Sequence, residues 1–252
     1  MTEKLYNNDC MEIMPTLPSA SVDIILVDPS YSYPTNQFRP EARVAQRTFG
    51  EFSTHRYFFK SYIAECRRIL KSDGDLFIFC DETFYAVLYP LLYENFYQTK
   101  MVVWNKKRIG MGGIWRRQFE LIIHSYLQPK KERSGDADII DDMVECKPVP
   151  SKERLHFSEK PVELLKKLII KTGKKSGVVM DTFMGSGSTR QAAKELGFDF
   201  IGVEVSEQQF ALAEQRLTKH APDLWDSAPQ QALSTPEADT PAEVLSTPPT
   251  SG

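Results

Sequence analysis

The feature that most constrains the fold is a glycine-rich turn that follows a short apolar run, within residues 178–189. The apolar run ends at Asp181, and Gly185 and Gly187 lead into a polar segment typical of a helix start. Glycine permits a tight turn and a close backbone approach to a ligand, and the first N–H groups of a following helix point toward that ligand. The pattern therefore predicts a strand, a turn and a helix that suit a nucleoside.

A second acid supports this prediction. Glu204 follows the next strand-like run, and a carboxylate at the tip of a second strand can accept hydrogen bonds from ribose hydroxyls. No Lys follows Gly187, which excludes a triphosphate-binding P-loop. Taken alone, a glycine-rich turn beside an exposed Glu explains the pattern about as well as nucleoside binding does.

Strand-like and helix-like patterns alternate along most of the 252 residues. The strand candidates are short, apolar and largely without polar alternation, as expected of strands covered on both faces. They lie at residues 4–7, 22–27, 76–80, 101–104, 121–126, 178–181 and 199–203. Helix candidates with apolar side chains at helical spacing lie at residues 57–70, 161–171 and 207–219. This order predicts one α/β domain with a mostly parallel sheet.

The domain is expected to span residues 1–220, and two segments depart from its pattern. Residues 127–155 mix basic and acidic runs with three prolines, which predicts a surface insertion that could serve in recognition. Residues 221–252 have too few large apolar side chains to offset the entropy of ordering, so we expect a disordered tail. The tail holds five acids and no base, so the preceding residues are slightly positive although the whole chain carries −3.

Several classes of protein are disfavoured. The first ten residues lack the basic and apolar pattern of a signal peptide, and the apolar runs are too short to span a bilayer. We therefore expect a cytoplasmic protein without membrane contact. The four cysteines form no C-x-x-C pair and the four histidines are scattered, which predicts free thiols and no metal site.

Residues 28–31, Asp-Pro-Ser-Tyr, follow the apolar run 22–27 and form a second candidate site at a strand end. These residue types suit methylation of an exocyclic amine, whose lone pair is delocalised into its ring. Asp28 and the Pro29 carbonyl can each accept one N–H, which exposes the lone pair, and Tyr31 can stack on the flat ring. An Asp-Pro turn with a buried Tyr is the alternative interpretation.

Three motifs resemble those of the amino-group DNA methyltransferases, which act on adenine N6 or cytosine N4. Residues 28–31 are similar to the D-P-P-Y motif, and residues 183–187 (Phe-Met-Gly-Ser-Gly) are similar to the F-x-G-x-G motif. Residues 156–161 (His-Phe-Ser-Glu-Lys-Pro) are similar to the H-x-x-x-K-P motif. The D-P-P-Y-like motif comes first, which is the circularly permuted order of the β class. The resemblance covers roughly residues 4–217.

The resemblance implies S-adenosylmethionine as cofactor and a Rossmann-like, seven-stranded, circularly permuted sheet in which strand 4–7 lies beside strand 199–203. By position, Asp28, Pro29 and Tyr31 are the catalytic residues. Phe183, Gly185 and Gly187 would line the methionine and ribose, and Glu204 would hold the ribose hydroxyls. The other implied cofactor-binding residues are Asp9 near the adenine, Asp181 at the strand end, and Lys160 and Pro161, which would help to close the pocket.

Two features of the tetrad bear on the target. Asp at its first position usually accompanies adenine in this family, whereas Ser usually accompanies cytosine, so Asp28 favours adenine N6. The amine lies inside the stack of duplex DNA, which implies that the base is flipped into the site. Ser30 stands where the family has Pro, which frees one φ angle and implies a less rigid loop.

Basic segments near the two motifs predict contact with double-stranded DNA. Residues 100–119 hold six bases and no acid, with aromatic residues between them. The predicted DNA-binding residues are Arg39, Arg43, Arg47, Lys106, Lys107, Arg108, Arg116 and Arg117. No large recognition insertion is evident, so we expect a short or relaxed recognition sequence, read mainly by loops 32–50 and 105–117. The alternative is a solvated hairpin with its tryptophans in the core.

Other functions stay open from the sequence. A methyltransferase for RNA, cytosine N4 or a protein amide is disfavoured by Asp28 and by the motif order, without RNA being excluded. A non-catalytic nucleic-acid-binding module of the same fold is supported only by Ser30. A dehydrogenase is disfavoured because no room for a substrate domain follows the glycine turn. The protein is expected to be a monomer or a homodimer.

Overall fold

The computed structural model describes residues 2–29, 49–110, 114–129, 141–155 and 159–216, with the backbone alone over 49–55. The strands of the described residues are β1 (Glu3–Tyr6), β2 (Val22–Val27), β3 (Leu70–Cys80), β4 (Gln98–Asn105), β5 (Phe119–Tyr126), β6 (Met143–Glu145), β7 (Val178–Asp181) and β8 (Asp199–Val203). Their helices are α1 (Cys10–Ile13), α2 (Phe49–Ile69), α3 (Glu82–Asn95), α4 (Val162–Lys171), α5 (Ser188–Glu195) and α6 (Glu207–Arg216), with a 3₁₀ turn at Met14–Thr16. The predicted alternation of strands and helices is confirmed.

All eight strands form one sheet in the order β1-β8-β7-β2-β3-β5-β4-β6. The pairings are parallel except those of β5, which runs antiparallel to both β3 and β4. The predicted α/β class with a mostly parallel sheet is therefore confirmed. Each of the seven predicted strands is present, and the sheet has β6 in addition to the seven expected.

Strand β6 lies inside the segment 127–155 predicted as a surface insertion, and it joins that segment to the edge of the sheet. Val144 is buried against the sheet, and β6 pairs in parallel with β4. The Trp104 indole N–H donates to the Cys146 carbonyl at 2.7 Å, which fastens the segment to β4. With one buried side chain in three residues, β6 has no periodicity that a sequence pattern could reveal.

The two ends of the described fold meet at one edge of the sheet. Strand β1 pairs in parallel with β8, with Leu5 opposite Gly202, as the circularly permuted order predicts. A Cβ at Gly202 would lie 2.4 Å from Met184 Sδ and 3.1 Å from Leu5 Cδ2, so a larger residue there would force these side chains to move. The next pairing, β8 with β7, places the glycine turn beside this edge.

The core has two parts because helices cover both faces of the sheet. Ile25 and Val27 of β2 pack with residues of α2 and α3, whereas Ile24 and Leu26 pack with residues of α4 and α5. Every side chain of β2 is buried, which explains why its sequence is apolar except at Asp23. None of the described helices is both long and apolar enough to cross a membrane.

The predicted helices are found with shifted bounds. The predicted helix 57–70 is the second part of α2, the predicted helix 161–171 is α4, and α6 begins at residue 207 as predicted. Helix α3 contains Pro90 and was not singled out by the pattern. The tail 221–252 lies outside the described residues, so its disorder stays a prediction.

Candidate functional site

Three carboxylates lie at the carboxyl ends of three neighbouring parallel strands. Asp28 follows β2, Asp181 ends β7, and Glu204 follows β8. In open α/β sheets, this is the edge at which ligands bind. The chain thus brings its two candidate sites together, although about 150 residues separate them in sequence.

The glycine turn takes the backbone conformation that the sequence predicts. Gly185 and Gly187 have φ angles of +54° and +82°, which side chains rarely adopt. A Cβ at Gly185 would meet nothing closer than the Phe183 carbonyl at 3.9 Å, so the space above this residue is open to a ligand. A Cβ at Gly187 would lie 3.0 Å from Ala213 Cβ. Gly187 is therefore required for packing against α6, and Gly185 is the residue that a ligand can approach.

Glu204 braces the turn from the neighbouring strand. Its Oε2 accepts a hydrogen bond from the Gly185 N–H at 2.8 Å, and its Oε1 accepts one from the Ser206 N–H at 2.9 Å. Asn7 donates to the Glu204 carbonyl at 2.8 Å, which places the loop before α1 next to this residue. Asp9, in that loop, is exposed and caps α1 by accepting from the Met11 N–H at 2.7 Å.

Asp181 is a buried acid with a perturbed pKa. Burial raises the pKa of its carboxyl to about 7, with Asp28 and Glu204 adding to the rise, while hydrogen bonds from Thr189 and the Phe183 N–H oppose it. The Phe183 N–H lies 3.0 Å from Asp181 Oδ1. A site with three acids and a partly protonated carboxyl attracts a cationic ligand, because a nearby positive charge would favour the ionised form.

The Asp28 carboxylate forms an ion pair with a lysine. The Lys160 ammonium is 2.5 Å from Asp28 Oδ2 and is buried, with 8% of the side chain exposed. The resemblance implied that Lys160 helps to close the cofactor pocket, whereas the structure places its ammonium on the acid assigned to the amine. Pro29 is buried beside Asp28, and Tyr31 lies outside the described residues.

A second acid on the Lys160 ammonium was not singled out from the sequence. Glu120 of β5 has Oε2 at 3.4 Å from Lys160 Nζ and Oε1 at 2.6 Å from Lys106 Nζ. The available signal was its position, since it is the first acid after six bases in residues 100–119. Charge pattern alone gave no reason to connect it with Asp28.

The segment that carries Lys160 is also fixed to the glycine turn. Glu159 accepts from Arg216 at 2.6 Å, and Arg216 donates to the Ser186 carbonyl at 3.2 Å. Both charged side chains are buried. Pro161 follows as the N-cap residue of α4. Residues 159–161 therefore join the Asp28 side of the site to the turn.

The hairpin between β4 and β5 separates its cations into two groups. Lys106 pairs with Glu120, Lys107 with Glu145, and Arg117 with Glu82. Arg108 and Arg116 are exposed and pair with no acid among the described residues. Arg39, Arg43 and Arg47 lie outside those residues.

The hairpin tryptophans divide in the same way. Trp104 is in the core, as the alternative interpretation expected, whereas Trp115 is 92% exposed between Ile114, which is 98% exposed, and Arg116. The hairpin therefore presents an apolar and basic tip to solvent.

Comparison with known proteins identifies a family. A family model described as DNA methylase, for the N6 and N4 methyltransferases, matches residues 22–133 and 113–215, which is more than half of the chain. A type II methyltransferase of Haemophilus influenzae, M.HinfI, is 28% identical over 254 residues, covering 87% of this chain and 69% of that protein.

Solved structures agree in fold. M1.HpyAVI in complex with SAM has a TM-score of 0.63 at 23% identity, covering 86% of this chain and 99% of that one. The PvuII DNA methyltransferase, described as cytosine-N4-specific, has a TM-score of 0.65 at 15% identity, covering 86% of both chains. At these identities the likeness concerns the fold alone.

Proposed function

The chain belongs to the family of N6 and N4 DNA methylases, and on this basis we propose that it transfers a methyl group from S-adenosylmethionine to N6 of adenine in double-stranded DNA. The observation that carries the proposal is that Asp28 and the glycine turn end adjacent parallel strands, β2 and β7. A methyl donor above the turn and an amine on Asp28 would therefore lie side by side.

The residues of the turn fit the cofactor. S-adenosylmethionine supplies a methyl group on a positively charged sulfur. Gly185 leaves the space above the turn open, and the acids Asp181 and Glu204 favour a ligand that carries positive charge and hydroxyl groups. Phe183 is half-buried, with its ring 5.6 Å from that of Tyr62, so it can border the ligand without moving from the core.

The Asp28 side of the site fits an exocyclic amine. The Asp28 carboxylate accepts one N–H and the Pro29 carbonyl accepts the other, so that the nitrogen lone pair turns away from the ring and toward the methyl donor. Neither acceptor needs to become a nucleophile, and no covalent enzyme intermediate is required. The target base must leave the DNA stack to reach this edge of the sheet.

The choice of adenine rests on Asp28. In the family that the motifs resemble, Asp at this position usually accompanies adenine, and the chain has Asp and not Ser. Cytosine N4 is the second candidate, because the fold is shared with the PvuII enzyme, which is described as cytosine-N4-specific.

The hairpin tip fits the DNA backbone. Arg108 and Arg116 are exposed, and no described acid neutralises them, so both can contact phosphates. Trp115 can add a stacking contact at the same tip. The described fold offers no separate recognition domain, which supports the proposal of a short or relaxed recognition sequence.

The test is transfer of labelled methyl groups. Purified protein is incubated with tritiated S-adenosylmethionine and unmethylated DNA, RNA or a protein mixture, and the DNA is digested and separated into its methylated bases. We expect label in N6-methyladenine. Label only in N4-methylcytosine would overturn the choice of adenine, and label only in RNA or protein would overturn the choice of DNA.

The catalytic assignment has its own test. Asp28→Ala removes an acceptor of the amine and is expected to lower the transfer rate by about 100-fold or more. Binding of S-adenosylmethionine, measured by calorimetry, should stay within about threefold of the wild type. The control is Glu82→Gln, which removes an exposed carboxylate that pairs with Arg117. A variant without Asp28 that retained most of the activity would contradict the assignment.

A further inference from the structure

Four charged side chains form a row that runs from Asp28 into the hairpin. Lys160 lies between Asp28 and Glu120, and Lys106 lies on the other oxygen of Glu120. The row alternates in sign and is largely buried at its centre, where Lys160 also sits 5.0 Å above the ring of Phe79. The sequence separates its members by up to 132 positions, so the row exists only in the folded protein.

Lys160 occupies one oxygen of the carboxylate that the proposed reaction needs. Its ammonium donates to Asp28 Oδ2 at 2.5 Å, and an exocyclic amine donates N–H groups to a carboxylate in the same way. A base that binds this oxygen therefore displaces the ammonium. The lysine stem has four carbons joined by rotatable bonds, so the ammonium can move the short distance toward Glu120 without a change in the backbone.

Glu120 offers the ammonium another position. Its Oε2 is buried, lies 3.4 Å from Lys160 Nζ, and accepts no hydrogen bond from the described residues. A buried acceptor without a hydrogen bond is costly, so a small movement of the ammonium toward Glu120 satisfies an atom that is otherwise left unsatisfied.

We propose that the Lys160 ammonium holds the place of the target amine on Asp28, and that Glu120 receives the ammonium when the base arrives. This inference rests on the proposed function, because it concerns the same amine position. Lys160 and Glu120 are positioning residues in this scheme. They hold the Asp28 carboxylate in place before the base enters, and Glu120 draws the ammonium away from it when the base arrives.

The electrostatics of the row support an exchange of this kind. Burial alone would raise the pKa of Glu120, but the ammonium groups of Lys160 and Lys106 outweigh it and hold that pKa below its usual range. Burial alone would lower the pKa of Lys160, but Asp28 and Glu120 outweigh it and raise that pKa. Glu120 therefore stays ionised and can hold the ammonium charged while a neutral base occupies Asp28.

Variants of the two residues separate this scheme from a purely structural role. Glu120→Gln removes the charge that receives the ammonium and leaves Lys160 on Asp28, so we expect the KM for DNA to rise about tenfold with a smaller change in kcat. In the double variant Lys160→Met/Glu120→Gln no ammonium competes for Asp28. We expect its KM for DNA to fall back toward the wild-type value, below that of Glu120→Gln.

A matched control exists on helix α4. Lys166 also lies between two carboxylates, 3.1 Å from Glu195 and 3.5 Å from Glu163, but on the surface. Lys166→Met should leave the KM for DNA unchanged. Thermal unfolding and binding of S-adenosylmethionine are measured for every variant, so that loss of folding is distinguished from loss of base binding.

A measurement on the wild-type protein does not depend on variants. With ¹⁵N-labelled lysine, the ammonium signal of Lys160 is assigned by its absence in Lys160→Arg. Unmethylated DNA that the protein methylates should shift this signal, whereas the signal of Lys166 should stay in place. An unchanged Lys160 signal would overturn the exchange.

The outcomes distinguish the inference from the function beneath it. Wild-type protein that methylates no DNA overturns the proposed function and the inference with it. Wild-type protein that methylates DNA, together with a double variant no better than Glu120→Gln in its KM for DNA, overturns the inference alone. Recovery in the double variant supports the exchange, because a structural role predicts that two losses are at least as harmful as one.

Discussion

Among single residues, Asp181 is the one from which we expect a pH dependence of S-adenosylmethionine binding. Its pKa is raised from 3.8 to about 7, so near neutral pH it carries a proton in part of the molecules. A bound cation favours the ionised form, and binding below pH 7 must therefore remove that proton. The affinity for S-adenosylmethionine is expected to weaken as the pH falls through about 7 and to level off above it, with a slope of up to tenfold per pH unit.

Calorimetric titrations between about pH 5.5 and 8.5 test this expectation. The ionisation of the ligand itself is the same for every variant, so a comparison between variants isolates the contribution of Asp181. Asp181→Asn removes the titrating group, so its affinity should depend less on pH than that of the wild type. Asp73→Asn, an exposed carboxylate near the start of β3, serves as the control and should keep the wild-type slope. Equal slopes in all three proteins would show that Asp181 does not titrate on binding.

The two glycines of the turn allow a paired prediction. Alanine at either position adopts a left-handed conformation at a cost of about 1–2 kcal/mol, but only at Gly187 does the new Cβ meet the protein closely. We expect Gly187→Ala to lower the melting temperature more than Gly185→Ala does. Gly185→Ala should weaken S-adenosylmethionine binding more. The reverse order in both measurements would mean that the roles of the two glycines are exchanged.

The sequence revealed residues with a local signature and missed those defined by side-chain contacts. An apolar run predicts a strand end and a glycine predicts a tight turn. These signals identified Asp28, Asp181, Gly185 and Glu204. The partners of Lys160 could not be predicted. Glu120 comes near Lys160 only because β5 lies between β3 and β4 and runs antiparallel to both. Ion pairs between residues of different elements leave no periodic pattern in the sequence.

At the scale of elements, the β4–β5 hairpin exposes aromatic and basic side chains that can contact DNA. At its tip lie the exposed Trp115 and two cations that pair with no acid among the described residues, Arg108 and Arg116. The paired Lys106 and Arg117 lie nearer the sheet. The tip can therefore contact a polyanion without breaking any ion pair that the described residues form.

The double variant Arg108→Ala/Arg116→Ala should bind DNA more weakly and reduce the slope of log affinity against log salt by about two. The effect should be similar on any DNA sequence, since phosphate contacts do not read bases. Fluorescence anisotropy at several salt concentrations measures the slope. Lys175→Ala, an exposed cation before β7, is the control and should leave the slope unchanged. An unaltered slope in the double variant would exclude the tip from the interface.

Elements differed in how well their sequence predicted them. Strands such as β2 and β7 are buried on both faces, and their apolar runs identify them. Strand β6 is only three residues long, and its place depends on Trp104 and Val144. Helix α3 holds Pro90 at an interior position, where a sequence pattern suggests an interruption, yet buried Leu88, Leu91 and Leu92 keep it continuous through packing.

For the whole molecule, the order of motifs predicted more than any single pattern did. The D-P-P-Y-like motif precedes the glycine turn in the chain, and this order predicts that the first strand lies beside the last, as β1 and β8 do. The order could not predict which side chains of β3, β5 and the segment before α4 converge, because these depend on sheet register and helix packing.

The adjacent residues Glu159 and Lys160 have a practical consequence for anyone who re-engineers this protein. Glu159 accepts a hydrogen bond from Arg216 beneath the turn, and Lys160 donates one to Asp28. The fixed spacing of these two neighbours therefore ties the turn to the Asp28 side of the site. Any exchange in the chain before residue 159 must therefore keep this dipeptide in register. Inserting a single residue between the two would break at least one of these contacts. The turn and Asp28 would then no longer be held at a fixed distance from each other.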